Sequence, residues 1–268
     1  RRKGREIYSF SGMLGMKHLY TFLCVLFISL GTSSLYADVL KLSYQDFTIW
    51  LDCEKRSAIK FHYTLRDDVG NLDRDYAFYL DPEVDKACQQ TSTSSYKYER
   101  LDKTCEKDEN DRCFHKGHLV AYNQMDHSLI SSHQTNYMTN ILPQARNLNT
   151  GAWKRTEDIS ECYRDYFTPD IFGGPIWGKD GMYLSNHSIT VPKAFWKVMI
   201  RDGNVIAWIF PNNNEESLTI NDLPKYSVTI ETIEKATGQI IPIDPKYKNQ
   251  LGDDSVWGLS DCKKDYLR

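Results

Sequence analysis

The chain has 268 residues, and its 41% hydrophobic and 13% aromatic content is sufficient for a large buried core. It carries 33 basic and 36 acidic residues; removing the five basic and one acidic residues within residues 1–37 leaves 28 and 35, a net charge of −7. This balance excludes nucleic-acid binding through overall positive charge. Any site for a polyanion must therefore be a local basic groove or must contain a metal ion.

Residues 1–37 are predicted to be an upstream extension followed by a signal peptide. A start at Met16 precedes an apolar run at residues 19–31, which is about 13 residues long and short for a bilayer span of about 20 residues. Small polar residues then lead to Ala37, as is typical of a cleavage site. An N-terminal membrane anchor is the alternative. We expect residues 38–268 to form a single domain of a secreted or periplasmic protein, with no stable membrane association after cleavage.

Six cysteines remain outside the first 37 residues. An even number in an exported chain predicts three disulfides, but six cysteines allow 15 pairings, so the connectivity stays open. Zinc binding is the alternative, with Cys105, Cys113, His115 and His118 as the candidate ligands. We favour disulfides because the spacing contains no paired C-x-x-C pattern and exported thiols tend to oxidise. The six are Cys53, Cys88, Cys105, Cys113, Cys162 and Cys262.

The first predicted strand covers residues 59–65, where apolar and polar residues alternate. A turn at residues 67–71 ends it. Residues 89–110 have the polar composition of an exposed connection. Residues 117–122 are predicted to form a second, short strand.

A helix is predicted to begin around residues 149–151, because asparagine is a favoured N-cap residue and Trp153 and Ile159 supply an apolar face. At about 100° per residue, Asn149 and Glu157 lie within roughly 80° of each other on this helix. The two side chains are therefore expected to border the same site.

Two apolar runs at residues 194–200 and 205–210 are joined through Asp-Gly at 202–203, which predicts a β-hairpin. Residues 230–236 are predicted to form a late helix that ends at Gly238. Strands and helices alternate without a regular βαβ rhythm. The pattern therefore favours an α+β fold with a mixed β-sheet core.

Residues of the types that a hydrolytic active site requires occur in three segments, at 113–120, 139–144 and 147–158. Hydrolysis of a phosphodiester requires a base that is neutral near pH 7, a hard cation and oxygen ligands for that cation. His118, Asn149 and Glu157 supply these residue types. Because Mg²⁺ keeps several of its waters, one amide oxygen is enough to hold it against a phosphate.

These three segments resemble the DNA/RNA non-specific endonuclease family. Its ββα-metal (His-Me finger) core carries an Asp-Arg-Gly-His signature and a downstream Asn-x-Gly-x-Trp…Glu helix. The resemblance covers about residues 59–241. It implies that His118 is the general base, that Asn149 ligates Mg²⁺, and that Glu157 contacts the waters of the metal, with Mn²⁺ or Ca²⁺ as alternative cations.

The same resemblance implies further roles in cleavage of DNA, RNA or both, with little sequence specificity. Asn140 matches an active-site asparagine and Lys116 takes the place of the signature arginine. Arg155 matches a basic residue of the helix, and Arg74 is a candidate for a basic residue from an earlier loop; both are expected to bind the substrate. The oligomeric state is left open.

Two departures from the family pattern motivate an alternative function. His115-Lys116 stands where the signature has Asp-Arg, and lysine lacks the planar fork with which arginine binds phosphate. Glu161 stands where the family has an arginine four residues after the glutamate. The alternative is a catalytically impaired nucleic-acid-binding or structural relative with the same fold.

Overall fold

The computed structural model describes residues 39–253 and 257, apart from 71, 95, 97–113, 165–166, 180, 182, 185–188 and 215–218. The predicted extension and signal peptide at 1–37 and the cysteines Cys105, Cys113 and Cys262 lie outside the described residues. All of the described residues fall within one compact unit. None of the helices in the described part of the chain has both the length and the apolar composition of a bilayer span.

The described part of the chain contains a six-stranded antiparallel sheet, a two-stranded sheet and four α-helices. In chain order the elements are β1 (Val39–Ser43), β2 (Thr48–Asp52), β3 (Ser57–Thr64), β4 (Phe114–His118), α1 (Leu129–Thr135), β5 (Ile141–Ala145), α2 (Arg146–Thr150), α3 (Ala152–Arg164), β6 (Asp170–Ile176), β7 (Ala194–Arg201), β8 (Asn204–Pro211) and α4 (Ile230–Thr237). Short 3-10 helices lie at Tyr122–Gln124, Met138–Asn140, Ile220–Tyr226 and Pro245–Tyr247.

The main sheet has the strand order β1-β2-β3-β6-β7-β8. One face is covered by α3, whose Trp153 and Ile159 join a cluster with Phe61 of β3. On the other face, Ile230 and Ile233 of α4 pack in a second cluster. Helices on both faces of an antiparallel sheet confirm the predicted α+β fold.

The predicted hairpin and late helix are both confirmed. Asp202 and Gly203 have φ angles of 47° and 78°, which is the geometry of a two-residue turn that follows the twist of paired strands. Strands β7 and β8 pair in register from Ala194 opposite Pro211. Helix α4 ends at Gly238, whose φ of 69° gives the left-handed conformation that glycine adopts at no steric cost.

The two-stranded sheet and the helices after it form a ββα unit. Strand β4 pairs antiparallel with β5, and α2 and α3 follow directly. The predicted strand at 117–122 is displaced, because β4 already ends at His118. A Cβ at Gly117 would lie 2.2 Å from Oε1 of the buried Gln144, so glycine allows β4 and β5 to approach closely.

The helix predicted to begin around residues 149–151 is α3, which begins at Ala152, but the predicted N-cap role of Asn149 is wrong. Asn149 lies in the last turn of α2, and Gly151, with φ −103° and ψ −110°, separates α2 from α3. Glycine tolerates this backbone conformation, and the break replaces the continuous helix that the apolar pattern suggested. The consequence expected for Asn149 and Glu157 nevertheless holds, since both side chains border one cleft.

Disulfides tie distant segments of the chain together. Cys53, after β2, is bonded to Cys88, 35 residues further on. Cys162 in α3 is also disulfide-bonded. The predicted use of cysteines for disulfides is therefore confirmed for these three residues.

Candidate active site

A cleft of about 380 Å³ lies where β4 ends beside α2 and α3. It gathers five of the seven site residues predicted from the sequence, namely Arg74, Lys116, His118, Asn149 and Glu157. The other lining residues are Leu72, Ala121, Tyr122, Asn123, Asp126, Thr150, Lys154 and Asp158. Residues from β4, α2, α3 and an early loop thus meet in one place.

His118 is held from two directions at the end of β4. Its carbonyl oxygen accepts a hydrogen bond of 3.1 Å from Nε1 of Trp153. Its Nε2 lies 2.9 Å from Oδ1 of Asn136, and Nδ2 of Asn136 donates to the carbonyl oxygen of Asp75 at 3.1 Å. Since the amide presents its oxygen to the ring, Nε2 carries the proton and Nδ1 keeps its lone pair.

The environment keeps the His118 imidazole neutral. Burial lowers its pKa from 6.5 to about 4; the hydrogen bond to Asn136 opposes this shift and the positive charge of Arg74 adds to it. A neutral ring at pH 7 is the form that can accept a proton from water.

Asn149 presents an oxygen atom suited to a hard cation. Its Nδ2 lies 3.0 Å from Nδ1 of His115, and its Oδ1 accepts no hydrogen bond from the residues that the structure describes. The carboxylate of Glu157 borders the same cleft. An amide oxygen beside a carboxylate is a donor set that fits Mg²⁺, which prefers oxygen ligands and retains several waters.

Glu157 is paired electrostatically with a buried lysine that sequence reasoning missed. Burial raises the pKa of Glu157, and the charges of Lys197, Lys154 and Arg74 oppose the shift. Lys197 on β7 is only 2% exposed, and its Nζ lies 3.7 Å from the centre of the Trp153 ring. Burial lowers its pKa to about 8. A lysine inside a strand of otherwise apolar residues was the sequence signal for this role.

Asn140 does not line the cleft, and its expected catalytic role stays a prediction. The residue is fully buried, and its Nδ2 donates to the carbonyl oxygens of Val120 and Thr135. Its Oδ1 accepts from the backbone N–H of Val120. Since its amide binds these backbone groups, Asn140 positions the segment that follows His118.

Arg155 also lies outside the cleft lining. Its Nη1 forms a 2.7 Å ion pair with Oδ2 of Asp158, while Lys154, which does line the cleft, binds the other oxygen of Asp158 at 2.6 Å. The expected contact between Arg155 and substrate stays a prediction.

The cleft is balanced in charge. Its lining includes three basic residues, Arg74, Lys116 and Lys154, and three acidic ones, Asp126, Glu157 and Asp158. The sequence predicts either a local basic groove or a bound cation at a polyanion site, and this lining is not a basic groove. The other expectation, a bound cation, would give the cleft its positive charge.

Glu161, which stands where the family has an arginine, forms an ion pair with the buried Arg164. Its Oε2 accepts a 2.8 Å ion pair from Nη1 of Arg164, and its Oε1 accepts from Asn123. The Arg164 side chain is only 1% exposed, and its Nε donates to the carbonyl oxygen of Arg66. Arg164 therefore fixes an early loop and is not available to bind a phosphate.

A ββα unit beside an antiparallel sheet, with histidine at the end of the first strand of the unit and asparagine in the helix that follows, defines a ββα-metal fold. The sequence model of the DNA/RNA non-specific endonuclease family matches residues 30–249, and the chain belongs to this family. The family and fold predicted from the sequence are thereby confirmed.

Individual relatives cover smaller parts of the chain. A protein named "Nuclease" from Serratia marcescens is 34% identical over 118 residues, which span 40% of this chain and 42% of that protein. The human "Endonuclease G, mitochondrial" is 28% identical over 141 residues, or 47% of each protein. The chain thus spans less than half the length of these relatives.

A solved structure of the EndoG/EndoGI complex extends the similarity in fold. It superimposes with a TM-score of 0.60 over 77% of this chain and 88% of the solved chain, at 18% sequence identity. At this identity the likeness supports the fold alone.

Proposed function

We propose that this protein is an exported, Mg²⁺-dependent endonuclease that hydrolyses the phosphodiester bonds of DNA, RNA or both with little sequence specificity. One arrangement carries the proposal. His118 and Asn149 line the same cleft, and neither Nδ1 of His118 nor Oδ1 of Asn149 forms a hydrogen bond with another described residue. A base with a lone pair and a hard oxygen ligand are the two groups that water activation and cation binding require.

In this proposal His118 takes the proton of a water molecule that attacks phosphorus opposite the departing 3′ oxygen. Asn136 holds the ring in the tautomer that leaves Nδ1 able to accept this proton. Arg74, Lys116 and Lys154 supply positive charge for the phosphate. Because these groups would contact the backbone and not base edges, cleavage depends little on sequence.

Asn149 would hold the cation directly and Glu157 would hold it through water. When bound, Mg²⁺ supplies a Lewis acid that stabilises the charge developing on the phosphate and the leaving oxygen. Lys197 supplies a buried positive charge that favours the ionised form of Glu157. Mn²⁺ and Ca²⁺ are the alternative cations.

Export to an oxidising compartment is part of the proposal, with a secreted or periplasmic location. The Cys53–Cys88 disulfide supports it, since disulfides persist mainly outside the reducing cytosol. The predicted signal peptide would direct the export.

A catalytically impaired relative is the second candidate function. The replacement of the signature Asp-Arg by His115-Lys116 and of an arginine by Glu161 favours it. Such a protein would keep the cleft and bind nucleic acid without hydrolysing it.

A cleavage assay separates the two candidates. Plasmid DNA and a long RNA are incubated with the wild-type protein in Mg²⁺, with EDTA added, and with the His118→Ala variant in Mg²⁺. The nuclease proposal predicts cleavage by the wild type in Mg²⁺ and a loss of at least about 100-fold in the other two conditions. A matched control is His62→Ala, since His62 lies outside the cleft lining and pairs with Asp170. Equal, negligible cleavage under all conditions would favour the impaired relative.

A further inference from the structure

His115 contacts the proposed metal ligand directly. It lies on β4, three residues before His118, at the position where the family signature has aspartate. Its Nδ1 is 3.0 Å from Nδ2 of Asn149, which lies 34 residues further along the chain. No other part of the proposed function uses this imidazole.

The chemistry of the two groups determines the direction of this hydrogen bond. An amide nitrogen is only a donor, so Nδ1 of His115 must be the acceptor and its ring must be neutral, with the proton on Nε2. The oxygen and the nitrogen of an amide are bonded to the same Cγ atom and point in different directions from it. While Nδ2 is held by His115, the Oδ1 atom of Asn149 is therefore turned away from the ring.

We propose that His115 is a positioning residue that orients Asn149 for metal binding, an inference that rests on the proposed function. Without an acceptor at this place, the amide could rotate and turn its nitrogen, which cannot bind a cation, toward the cation site. Groups that orient a metal ligand in this way commonly change metal affinity by about 10-fold to 100-fold when they are removed.

The replacement of aspartate by histidine keeps the position of the acceptor. Nδ1 of histidine and Oδ1 of aspartate are both three bonds from Cα, so either side chain places an acceptor at the same distance from the strand. Histidine differs because it supplies this acceptor without a negative charge. The departure at position 115 thus keeps an acceptor for the Asn149 amide while it removes one negative charge from the surroundings of the cation.

Direct metal ligation by Nδ1 of His115 is incompatible with the observed contact. A neutral imidazole has one lone pair on its unprotonated nitrogen, and here the N–H of Asn149 occupies it. For the same reason, this nitrogen cannot be a zinc ligand while the contact with Asn149 is formed. No group of three metal-binding His, Cys, Asp or Glu side chains occurs in the part of the chain that the structure describes.

The test compares two nearly isosteric replacements, His115→Asn and His115→Leu. Both side chains branch at Cγ, but only asparagine retains an acceptor three bonds from Cα. Binding of Mn²⁺ in the absence of nucleic acid is measured by electron paramagnetic resonance, and circular dichroism verifies folding. We expect the leucine variant to bind Mn²⁺ at least about 10-fold more weakly than the wild type, and the asparagine variant to remain within about threefold of it.

His115→Asp should bind at least as tightly as the wild type, because it adds a negative charge near the cation.

A cleavage measurement adds a second readout. Since the leucine variant loses metal affinity and not the base, its rate should recover as the Mg²⁺ concentration is raised, whereas that of His118→Ala should not. Mn²⁺ binding by the leucine variant within twofold of the wild type would overturn the inference, as would equal weakening by leucine and asparagine. If the wild type neither binds Mn²⁺ nor cleaves nucleic acid, the proposed function fails as well; if it does both, such results reject only the role of His115.

Discussion

Nε2 of His118 donates a 2.9 Å hydrogen bond to Oδ1 of Asn136, and the Asn136 amide is fixed in turn by the bond from its Nδ2 to the Asp75 carbonyl oxygen. Asn136 is only 1% exposed and is not among the residues that line the cleft. The orientation and tautomer of the proposed base therefore depend on a residue 18 positions later in the chain.

Replacement of Asn136 by alanine should lower kcat while it changes KM little. The His118 ring would then be free to turn and to place its proton on either nitrogen, so only a fraction of molecules would present Nδ1 as a base. We expect kcat to fall about 10-fold or more, within the range that general-base catalysis contributes. Steady-state cleavage of a short duplex measures both constants. A rise in KM at unchanged kcat would contradict this role.

Asn136→Asp should keep the hydrogen bond and add a negative charge. A carboxylate beside the ring stabilises its protonated form, so it raises the pKa of His118. The acid limb of the pH–rate profile should therefore move to higher pH than in the wild type. An unchanged acid limb in this variant would show that His118 is not the group that titrates.

The wild-type protein should remain active at unusually low pH. Burial lowers the pKa of His118 to about 4, so the acid limb of kcat/KM should lie near pH 4 instead of near 6.5. The same shift affects stability: because the folded pKa is the lower one, the unfolded chain binds the proton first. The free energy of unfolding should therefore decrease as pH falls from about 6.5 to about 4, and this dependence should be weaker in His118→Gln.

Restoring the family arginine at position 161 should destabilise the fold. Glu161→Arg would place a second positive charge against Arg164, whose side chain is 1% exposed. Loss of one partner of a buried ion pair commonly costs about 3–5 kcal/mol. Urea unfolding measures this cost, with Glu161→Gln as the control that keeps the shape and the acceptor oxygen. Equal stability of the arginine and glutamine variants would contradict the assignment of Glu161 as the partner of Arg164.

Removal of the Cys53–Cys88 bond should also reduce stability. The bond closes a loop with a sequence separation of 35 residues, for which chain entropy predicts a contribution of about 3–4 kcal/mol. We expect the Cys53→Ala/Cys88→Ala variant to unfold at a correspondingly lower urea concentration. A midpoint equal to that of the wild type would show that the bond does not constrain the unfolded chain.

Much of the fold could be predicted because its signals are local. Alternation in β3, the Asp-Gly turn between β7 and β8, and the glycine that ends α4 each depend on a few neighbouring residues. The N-cap role expected of Asn149 was wrong because a favoured N-cap residue also fits the end of a short helix. Only the chain path at Gly151 distinguishes these two placements.

The site was predictable in its residue types but not in its internal contacts. His118, Asn149 and Glu157 were found because their chemistry and their family pattern coincide. The contacts of His118 with Asn136 and of Asn149 with His115 join separate segments of the chain. No periodic pattern in the sequence predicts such contacts. The contacts of the Asn140 amide with the backbone of Val120 and Thr135 likewise could not be predicted from the sequence.

The central claim is that His118 and Asn149 act together in one cleft. Plasmid cleavage rates of His118→Ala, Asn149→Ala and the double variant, measured in saturating Mg²⁺, test it most directly. Residues that act as a unit have non-additive effects, so the double variant should be impaired about as much as the more damaging single change. If the two losses multiply in the double variant, the residues act independently and the account of a shared site is wrong.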